Sequence, residues 1–272
     1  MSTKPLGDLK DIMISIIIPT KDTDSQRYKK CAEFVSNGIT NIPFQIVPIV
    51  SSGEEFRFSK SVNVGLRDCN DSEYFLILND DCYLDHGTVE SMIKSFESTP
   101  NSGVVGAKIR CPDGRIDHLG GELTLTTISG MRNALRMRMY SWVIKMPIVH
   151  ILRRVIEGPK KTVEAIHIGN TNDKRDVDFV TGACFLISKK TIEEVGYFDE
   201  DFEFGCEDVD YCLRTILSGL DVFVDTGATA VHEVGASGYD NGKLKRSRRL
   251  FRTKYNTDEI RRIRSQRHKQ TT

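Results

Sequence analysis

The chain has 272 residues, of which 39% are hydrophobic and 28% are charged, and its 38 basic and 38 acidic residues give a formal net charge of zero. A chain of this length buries roughly 75% of the surface that its unfolded form exposes. Ordinary apolar content without net charge excludes disorder as the main state. The sequence also contains no run of the ~18–20 apolar residues that a membrane-spanning helix needs.

Cysteine usage and the first residues bear on the compartment. Seven cysteines, without a Cys-x-x-Cys pair, favour buried thiols in a reducing compartment over a zinc site or a disulfide framework. The segment MSTKPLGDLKD lacks the apolar stretch of a secretory signal. We therefore expect a cytoplasmic protein, with peripheral contact to the inner face of a membrane as an open alternative.

The zero net charge conceals an asymmetry along the chain. Residues 243–272 hold twelve Lys and Arg against two acidic residues, a balance of +10, so the other residues carry 26 basic and 36 acidic side chains, or −10. Such a split predicts an acidic body whose basic tail meets an anionic partner such as phosphate groups or a membrane surface.

Hydrophobic periodicity predicts alternating strands and helices. Strands are predicted at 13–18, 44–50, 74–78, 103–109, 179–188, 221–224 and 229–232, and helices around 28–35 and at 59–66, 88–97, 189–195 and 207–218. Asp113-Gly114 predicts a turn into a hairpin at 122–127. Pro48 weakens the second strand, because proline removes a ladder donor.

This alternation predicts an α/β fold with a mostly parallel central sheet and helices on both faces. No repeat or low-complexity linker divides the chain, so one domain over 1–242 is favoured, followed by a basic helical tail over 243–272. Residues 128–176 fit neither pattern and are interpreted as a variable insertion.

Two polar groups follow strands of the predicted sheet. Pro19 to Asp22 come after the first strand, and Asn79-Asp80-Asp81 come after the strand at 74–78. In open parallel sheets, ligands bind beyond the carboxyl ends of the strands. Adjacent carboxylates there suit a divalent cation that also holds a substrate diphosphate. The alternative is a turn in which Asn and Asp are merely favoured residues.

A second acidic cluster lies between residues 200 and 210. Glu207 and Asp208 open the predicted helix at 207–218, where acids can serve only to cap free N–H groups. A carboxylate there can equally take a proton from an attacking hydroxyl. His232, beside a predicted strand, is by itself most simply structural.

Several enzyme classes lack their motif in this sequence. It has no G-x-x-x-x-G-K-[ST] phosphate loop, no G-x-G-x-x-G after the first strand and no G-x-S-x-G elbow. The sequence therefore argues against a P-loop ATPase, a Rossmann dehydrogenase and an α/β-hydrolase.

The order of the segments resembles the family 2 glycosyltransferases. The segments that carry the resemblance are SIIIPT, FRFSKSVNVGL, YFLILNDDCYL, CPDGRIDHLGG, VTGACFLISKKTIEEVGYFDEDFEFGCEDVDYCLR and AVHEVGAS. They lie within about 12–118 and 176–255. The resemblance implies a GT-A fold and an inverting enzyme that moves a sugar from a nucleotide-diphosphate sugar to an acceptor hydroxyl, on a glycan or a lipid-linked molecule.

The resemblance also implies roles for particular residues. Asp81, with His232, would hold Mn²⁺ or Mg²⁺, and Asp208, with Glu207 beside it, would be the catalytic base. The residues implied for the nucleotide-sugar site are Pro19, Thr20, Asp22, Asn63, Asn79, Asp80, Gly182 and Ala183. Two positions depart from the family pattern, because residues 49–53 lack the usual base-contacting Asp and Cys206 replaces a Gly.

The sequence leaves open two alternative functions and two interpretations of one segment. A nucleotidyltransferase would also use carboxylates and Mg²⁺, and a non-catalytic nucleotide-sugar or carbohydrate-binding module would keep the fold. Residues 131–158 mix Met, Trp and aliphatic residues with Arg and Lys. They are interpreted either as an acceptor lid or, together with the basic tail, as a membrane-contacting segment. A nucleic-acid partner is not expected.

Overall fold

The computed structural model describes residues 12–53, 56–69, 71–121, 174–233, 240–255 and 262–263, which contain nine strands and six helices. The strands are β1 Ile14–Thr20, β2 Phe44–Val50, β3 Tyr74–Leu78, β4 Cys82–Leu84, β5 Ser102–Arg110, β6 Ile116–His118, β7 Lys174–Asp176, β8 Cys184–Ser188 and β9 Asp221–His232. The helices are α1 Gln26–Gly38, α2 Phe58–Asp68, α3 Thr88–Ser98, α4 Lys189–Val195, α5 Glu207–Leu217 and α6 Asn241–Lys254.

All nine strands belong to one sheet. Its main order is β2-β1-β3-β8-β5-β9-β4, with β6 paired to β5 and β7 paired to β9. Strands β2, β1, β3, β5 and β9 run in one direction, whereas β8 and β4 run against them. The predicted α/β class with a mostly parallel central sheet is confirmed.

Continuous apolar runs predict the central strands correctly, and the burial of these strands explains why. Every residue of β1 and of β3 is buried, because helices cover both faces of this part of the sheet. Strand β2 lies at the edge of the described sheet and is only partly buried. An edge position accommodates Pro48, since a proline there leaves no central ladder bond unmade.

Local sequence signals set the beginnings of the helices. The Ser25 hydroxyl accepts a hydrogen bond from the Tyr28 N–H at 3.2 Å at the start of α1. Ser188 and Thr191 form a capping box at the start of α4. Asp240 Oδ1 accepts from the N–H groups of Gly242 and Lys243 at 2.9 Å each, which fixes the start of the tail helix α6.

The structure differs from the sequence-based prediction in three places. Residues 221–232 form one strand, because a register shift between Ala107 and Lys108 of β5 accommodates the extra residues of β9. Of the predicted strand at 179–188, only residues 184–188 are strand. The short strands β4, β6 and β7 are not predicted, and β7, which pairs with β9, falls within the segment 128–176 that is interpreted as an insertion. The hairpin expected at 122–127 and most of 128–176 lie outside the described residues.

The described chain is joined across the gap between residues 121 and 174. The Gly121 N–H donates to the Phe179 carbonyl at 2.9 Å, and the Asp178 N–H donates to the Gly121 carbonyl at 2.9 Å. This bridge fixes the two sides of the gap to each other next to β5 and β9. Outside that gap, the helix predicted for the basic tail is present as α6.

Candidate active site

Polar residues converge at the carboxyl edge of the sheet. β1 ends at Thr20, β3 leads into Asn79-Asp80-Asp81, and β9 ends at His232. The antiparallel strand β8 begins at the same edge, where the Asn79 N–H donates to the Ala183 carbonyl at 2.9 Å. The topology therefore brings together segments that are more than 150 residues apart in the sequence.

Asp80 is held between β1 and α1. Its Oδ2 accepts a hydrogen bond of 2.8 Å from the Thr20 hydroxyl, and its Oδ1 lies 3.1 Å from Arg27 Nε. Burial raises the pKa of Asp80, while the Thr20 hydroxyl and the Arg27 guanidinium act in the opposite direction. The Asp80 carboxylate is thus held in one orientation by Thr20 and Arg27 and is not a freely rotating surface acid.

A cleft of about 400 Å³ opens beside Thr20 and Asp80. Three cationic side chains line it, Lys21, Arg27 and Lys243. The other lining residues are Pro19, Thr20, Gly53, Phe56, Asp80, Phe204 and Asp240. Aromatic and apolar walls beside cations suit an anionic ligand that also carries a flat ring.

Asp81 and His232 form a close pair at the same edge. Asp81 Oδ1 lies 3.1 Å from His232 Nε2, and the backbone of Asp81 accepts from the Glu233 N–H at 2.9 Å. On its other side, His232 Nδ1 lies 3.6 Å from Asp117 Oδ2. A carboxylate that orients the far nitrogen of a histidine is a common arrangement behind metal ligands.

This pair has the chemistry that a divalent cation needs. Asp81 Oδ1 and His232 Nε2, which lie 3.1 Å apart, are an oxygen and a nitrogen donor of the types that would hold Mn²⁺ or Mg²⁺. Among the described residues there is no cluster of three or more such ligands. The pair therefore suits an ion that takes its other ligands from a diphosphate and water.

Asp208 lies in the first turn of α5. Its Oδ2 accepts from the Gly182 N–H at 2.8 Å, and its Oδ1 accepts from the Val209 N–H at 2.8 Å. A Cβ on Gly182 would lie 3.4 Å from the Asp208 Cβ, an ordinary van der Waals contact, so the two residues are immediate neighbours. Burial raises the pKa of Asp208 against the effect of these two hydrogen bonds. A positioned carboxylate with a raised pKa has the properties of a general base.

Glu207 precedes Asp208 and is buried. Its Oε2 makes no hydrogen bond with any described residue. Burial, and then the neighbouring Asp208 carboxylate, raise the pKa of Glu207 well above its usual range. Cys206, which precedes both acids, has a positive φ of 75° and gives no side-chain cap. It thus occupies a backbone conformation that favours glycine, the residue that the resemblance leads us to expect there.

The structure places the other predicted donor-site residues in two groups. Pro19 lines the cleft with Thr20 and Asp80, whereas Asp22 shapes the turn before α1, where its Oδ1 accepts from the Asp24 N–H at 2.8 Å. The Asn63 amide group is occupied by Phe198 and Glu200, to which Nδ2 donates at 2.9 and 2.8 Å. Asn63 therefore orders the segment before α5, and its contact with a donor stays a prediction.

Sequence reasoning did not single out three residues that the structure brings to this edge, Arg27, Asp117 and Lys243, and it treats a fourth, His118, as a weak candidate. Asp117 and His118 lie in the CPDGRIDHLGG segment, which carried the resemblance without an assigned role. Arg27 and Lys243 lie on amphipathic helices. The sequence of such a helix does not distinguish a basic side chain at the active site from one that faces solvent.

The other sequence expectations concern the thiols and the membrane. All seven cysteines are free thiols, and five of them are buried. No helix within the described ranges has the length and apolar character required to cross a bilayer.

Comparison with known proteins adds a family model and relatives. The model described as "Glycosyl transferase family 2" matches residues 15–157. The O-antigen biosynthesis protein RfbC of Myxococcus xanthus is 28% identical over 166 residues, which are 61% of this chain and 11% of that protein. The N-acetylglucosaminyl-diphospho-decaprenol L-rhamnosyltransferase of Mycobacterium tuberculosis is 24% identical over 169 residues, 62% of this chain and 50% of that protein. The chain spans half or less of the length of these two relatives.

The solved structures give the fold. A crystal structure of GalNAc-T7 with UDP, GalNAc and Mn²⁺ superimposes with a TM-score of 0.54 at 11% sequence identity, covering 88% of this chain and 47% of that one. At this identity the likeness concerns the fold alone. It confirms the predicted GT-A class.

Proposed function

Because the chain belongs to glycosyl transferase family 2, we propose that it transfers a sugar from a nucleotide-diphosphate sugar to an acceptor hydroxyl, with inversion at the anomeric carbon. The observation that carries this proposal is the placement of Asp208, whose carboxylate is fixed by the Gly182 and Val209 N–H groups. We assign the Asp208 carboxylate to the same active site as the cleft beside Asp80 and the Asp81–His232 pair.

The cleft beside Thr20 is the proposed donor site. Lys21, Arg27 and Lys243 supply positive charge for the diphosphate, and Asp80 can accept a hydrogen bond from a ribose hydroxyl. Phe56 offers an apolar surface to the base. This arrangement holds the departing group in place before the reaction, so part of the entropic cost of the transition state is met on binding.

Asp81 and His232 would hold Mn²⁺ or Mg²⁺, with Asp117 orienting the histidine. When bound, such an ion offsets the charge that develops on the nucleoside diphosphate as it departs. The Lys and Arg side chains of the cleft stabilise the same charge from the protein side.

Asp208 is the proposed general base. It accepts the proton of the attacking hydroxyl, whose oxygen forms the new bond to the anomeric carbon while the bond to the diphosphate breaks. Attack from the side opposite the diphosphate inverts the configuration. No covalent intermediate with the protein is needed, and the raised pKa of Asp208 makes its carboxylate a better proton acceptor than an exposed Asp.

The acceptor is proposed to be a glycan or a lipid-linked sugar. One relative is named for action on an N-acetylglucosaminyl-diphospho-decaprenol and another for O-antigen biosynthesis, and both matches cover less than two thirds of this chain. A role in polysaccharide assembly is consistent with both names. We further propose peripheral contact with an anionic membrane on the cytoplasmic side, through the basic face of α6 and residues 131–158.

The experiment that tests the proposed reaction is Asp208→Asn in a donor-hydrolysis assay, in which water replaces the acceptor. The release of nucleoside diphosphate should fall about 10²- to 10⁴-fold, while calorimetry with a nucleoside diphosphate and Mn²⁺ should give an affinity within about twofold of wild type. Asp201→Asn, at an exposed acid that precedes the same helix, is the matched control and should leave both values unchanged.

The product of this assay also separates the alternative functions. A glycosyltransferase releases nucleoside diphosphate and free sugar, and a binding module releases nothing. When pyrophosphate is added, a nucleotidyltransferase instead converts the nucleotide sugar to nucleoside triphosphate and sugar 1-phosphate. If Asp208→Asn keeps full turnover and loses only stability, Asp208 serves the helix and not the reaction.

A further inference from the structure

His118 lies in β6 beside Phe179, in the segment that leads to Gly182 and its contact with Asp208. Consecutive residues of a strand point to opposite faces, and in β6 this separates Asp117 from His118. Asp117 faces His232 at 3.6 Å, whereas the His118 ring packs on Phe179 with centroids 5.8 Å apart. Phe179 lies three residues before Gly182, whose N–H donates to Asp208, and the Asp208 and Asp117 carboxylates both act to raise the pKa of His118 against the effect of burial.

The protonation of the His118 ring is set by the backbone. The Gly120 N–H donates to His118 Nδ1 at 3.2 Å, so Nδ1 carries a lone pair and the proton of the neutral ring is on Nε2. Burial lowers the pKa of His118, which favours the neutral ring at pH 7. No hydrogen bond within the described ranges engages Nε2.

The two glycines after His118 fix its position. A Cβ on Gly120 would lie 2.3 Å from Val177 Cγ1, and one on Gly121 would lie 2.1 Å from Phe179 Cζ. Gly120 also has a φ of 70°, a conformation that suits glycine. The packing therefore holds the His118 loop against residues 177–179, three residues before the Gly182 N–H that holds Asp208.

Each Asp208 oxygen accepts one backbone N–H and keeps a further lone pair. A hydroxyl that donates its proton to Asp208 needs a second contact to aim its oxygen. We propose that His118 positions the nucleophile by donating a hydrogen bond from Nε2 to the oxygen of the acceptor hydroxyl, or to the water that replaces it. This inference rests on the proposed function and adds a residue to its acceptor side.

The step balances without a change at His118. The O–H bond breaks and its proton passes to Asp208. One lone pair of the oxygen forms the bond to the anomeric carbon, a second accepts from His118, and the electron pair of the broken C–O bond leaves with the diphosphate. His118 keeps its proton throughout, so it is a positioning residue and not an acid or base.

The test is donor hydrolysis with Mn²⁺ and the nucleotide sugar that the wild-type chain hydrolyses fastest from a set of UDP-, GDP-, dTDP- and CDP-sugars. His118→Leu removes the N–H donor and should lower kcat about 10- to 100-fold, with Tm and nucleoside diphosphate affinity unchanged. His118→Gln keeps an N–H donor and should restore most of the rate. His86→Leu, at an exposed histidine between β4 and α3, is the matched control.

A double-mutant cycle supplies a readout that a structural role would not move. In the Asp208→Asn background, His118→Leu should cause little further loss, because the two residues act on the same hydroxyl. Additive losses, or a fall in Tm and donor affinity that His118→Gln does not restore, would overturn the proposal. Wild-type protein that hydrolyses none of the donors, or Asp208→Asn at full rate, would instead refute the proposed function, and this shows without any change at His118.

Discussion

At the scale of single residues, the candidate active site contains two pairs of adjacent acids, Asp80-Asp81 and Glu207-Asp208, and the two pairs lie in different surroundings. Asp81 is held at 3.1 Å by a histidine, whereas Glu207 has a buried carboxyl oxygen without a hydrogen-bond partner among the described residues. The first arrangement suits a metal ligand, and the second suits an acid whose pKa burial raises. Carboxyl groups at two points of the site thus differ in their properties because their surroundings differ.

Asp81→Ala should abolish the dependence of nucleotide binding on Mn²⁺, because it removes the carboxylate oxygen from the proposed Asp81–His232 ligand pair. In calorimetry, the variant should bind a nucleoside diphosphate equally with and without Mn²⁺, while wild type should bind more tightly with it. Asp71→Ala, at an exposed acid, is the control and should keep the wild-type response. A variant with the full Mn²⁺ response would show that Asp81 is not a ligand.

Glu207→Gln should stabilise the protein as the pH rises. The pKa of Glu207 is raised on folding, so the unfolded chain ionises first and the folded state loses stability between the unfolded pKa near 4.5 and the higher folded pKa. The variant and wild type should be equally stable at pH 4, and at pH 8 the variant should be more stable by at least about 1 kcal/mol, or about 2–4 °C in Tm.

The control for Glu207→Gln is the same substitution at a glutamate that is not buried. Glu193→Gln, on the exposed side of α4, should shift Tm equally at both pH values. If Glu207→Gln lowers Tm at pH 8, the Glu207 carboxylate is ionised and bonded in the folded protein, contrary to this prediction.

At the scale of elements, close approaches decide which helices can cover the sheet. Helix α2 lies against β1 at Gly65, where an added Cβ would come within 2.7 Å of Ile17 Cγ2. Helix α6 is tied to α5 instead by buried charge, since Asp210 Oδ1 lies 2.7 Å from Lys254 Nζ and accepts at 2.8 Å from the hydroxyl of Tyr255, the residue after α6. The absence of a side chain at Gly65 and the buried carboxylate of Asp210 are thus two different ways to hold a helix against its neighbour.

Gly65→Ala should lower the free energy of unfolding by about 1–3 kcal/mol, because the methyl group overlaps the fully buried Ile17. On an open helix face the same change would stabilise by about 0.5–1 kcal/mol. The sign of the change in urea denaturation therefore tests the contact. Val64→Ala, at the neighbouring position that is 37% exposed, should stay within about 0.5 kcal/mol of wild type.

The elements that sequence predicts well are those whose pattern is local. The apolar run of β1, the amphipathic face of α5 and the turn residues after β3 each signal themselves within a few residues. Strands β4 and β6 have three residues each and no periodicity to read. The contact between the Gly182 N–H and Asp208 joins positions 26 residues apart, so only the folded chain reveals it.

At the scale of the molecule, charge is divided between the body and the tail. Residues 243–272 carry +10 and the rest −10, and the exposed side chains of α6 include Lys245, Arg248 and Arg249. Each basic residue near an anionic bilayer contributes about 1 kcal/mol of attraction. The division of charge favours one orientation of the molecule at such a surface.

The full chain should float with vesicles that contain anionic lipid at low salt, and not with neutral vesicles. The change of Lys245, Arg248 and Arg249 to Gln should reduce the bound fraction severalfold, because it removes about 3 kcal/mol of attraction. Equal changes at exposed Lys60, Lys94 and Arg175 form the control and should have less effect. No flotation of wild type at low salt would refute the membrane proposal.

The bridge between Gly121 and Phe179 has a consequence for changes in the segment between them. It closes the chain on either side of residues 122–173 with hydrogen bonds of 2.9 Å, next to the residues that place His118 and Asp208. The entropy of closing a loop rises by only about 0.6 kcal/mol when its length doubles. A change in the length of the segment between these two points should therefore cost little stability, while the bridge keeps the neighbouring residues that place His118 and Asp208 where they are.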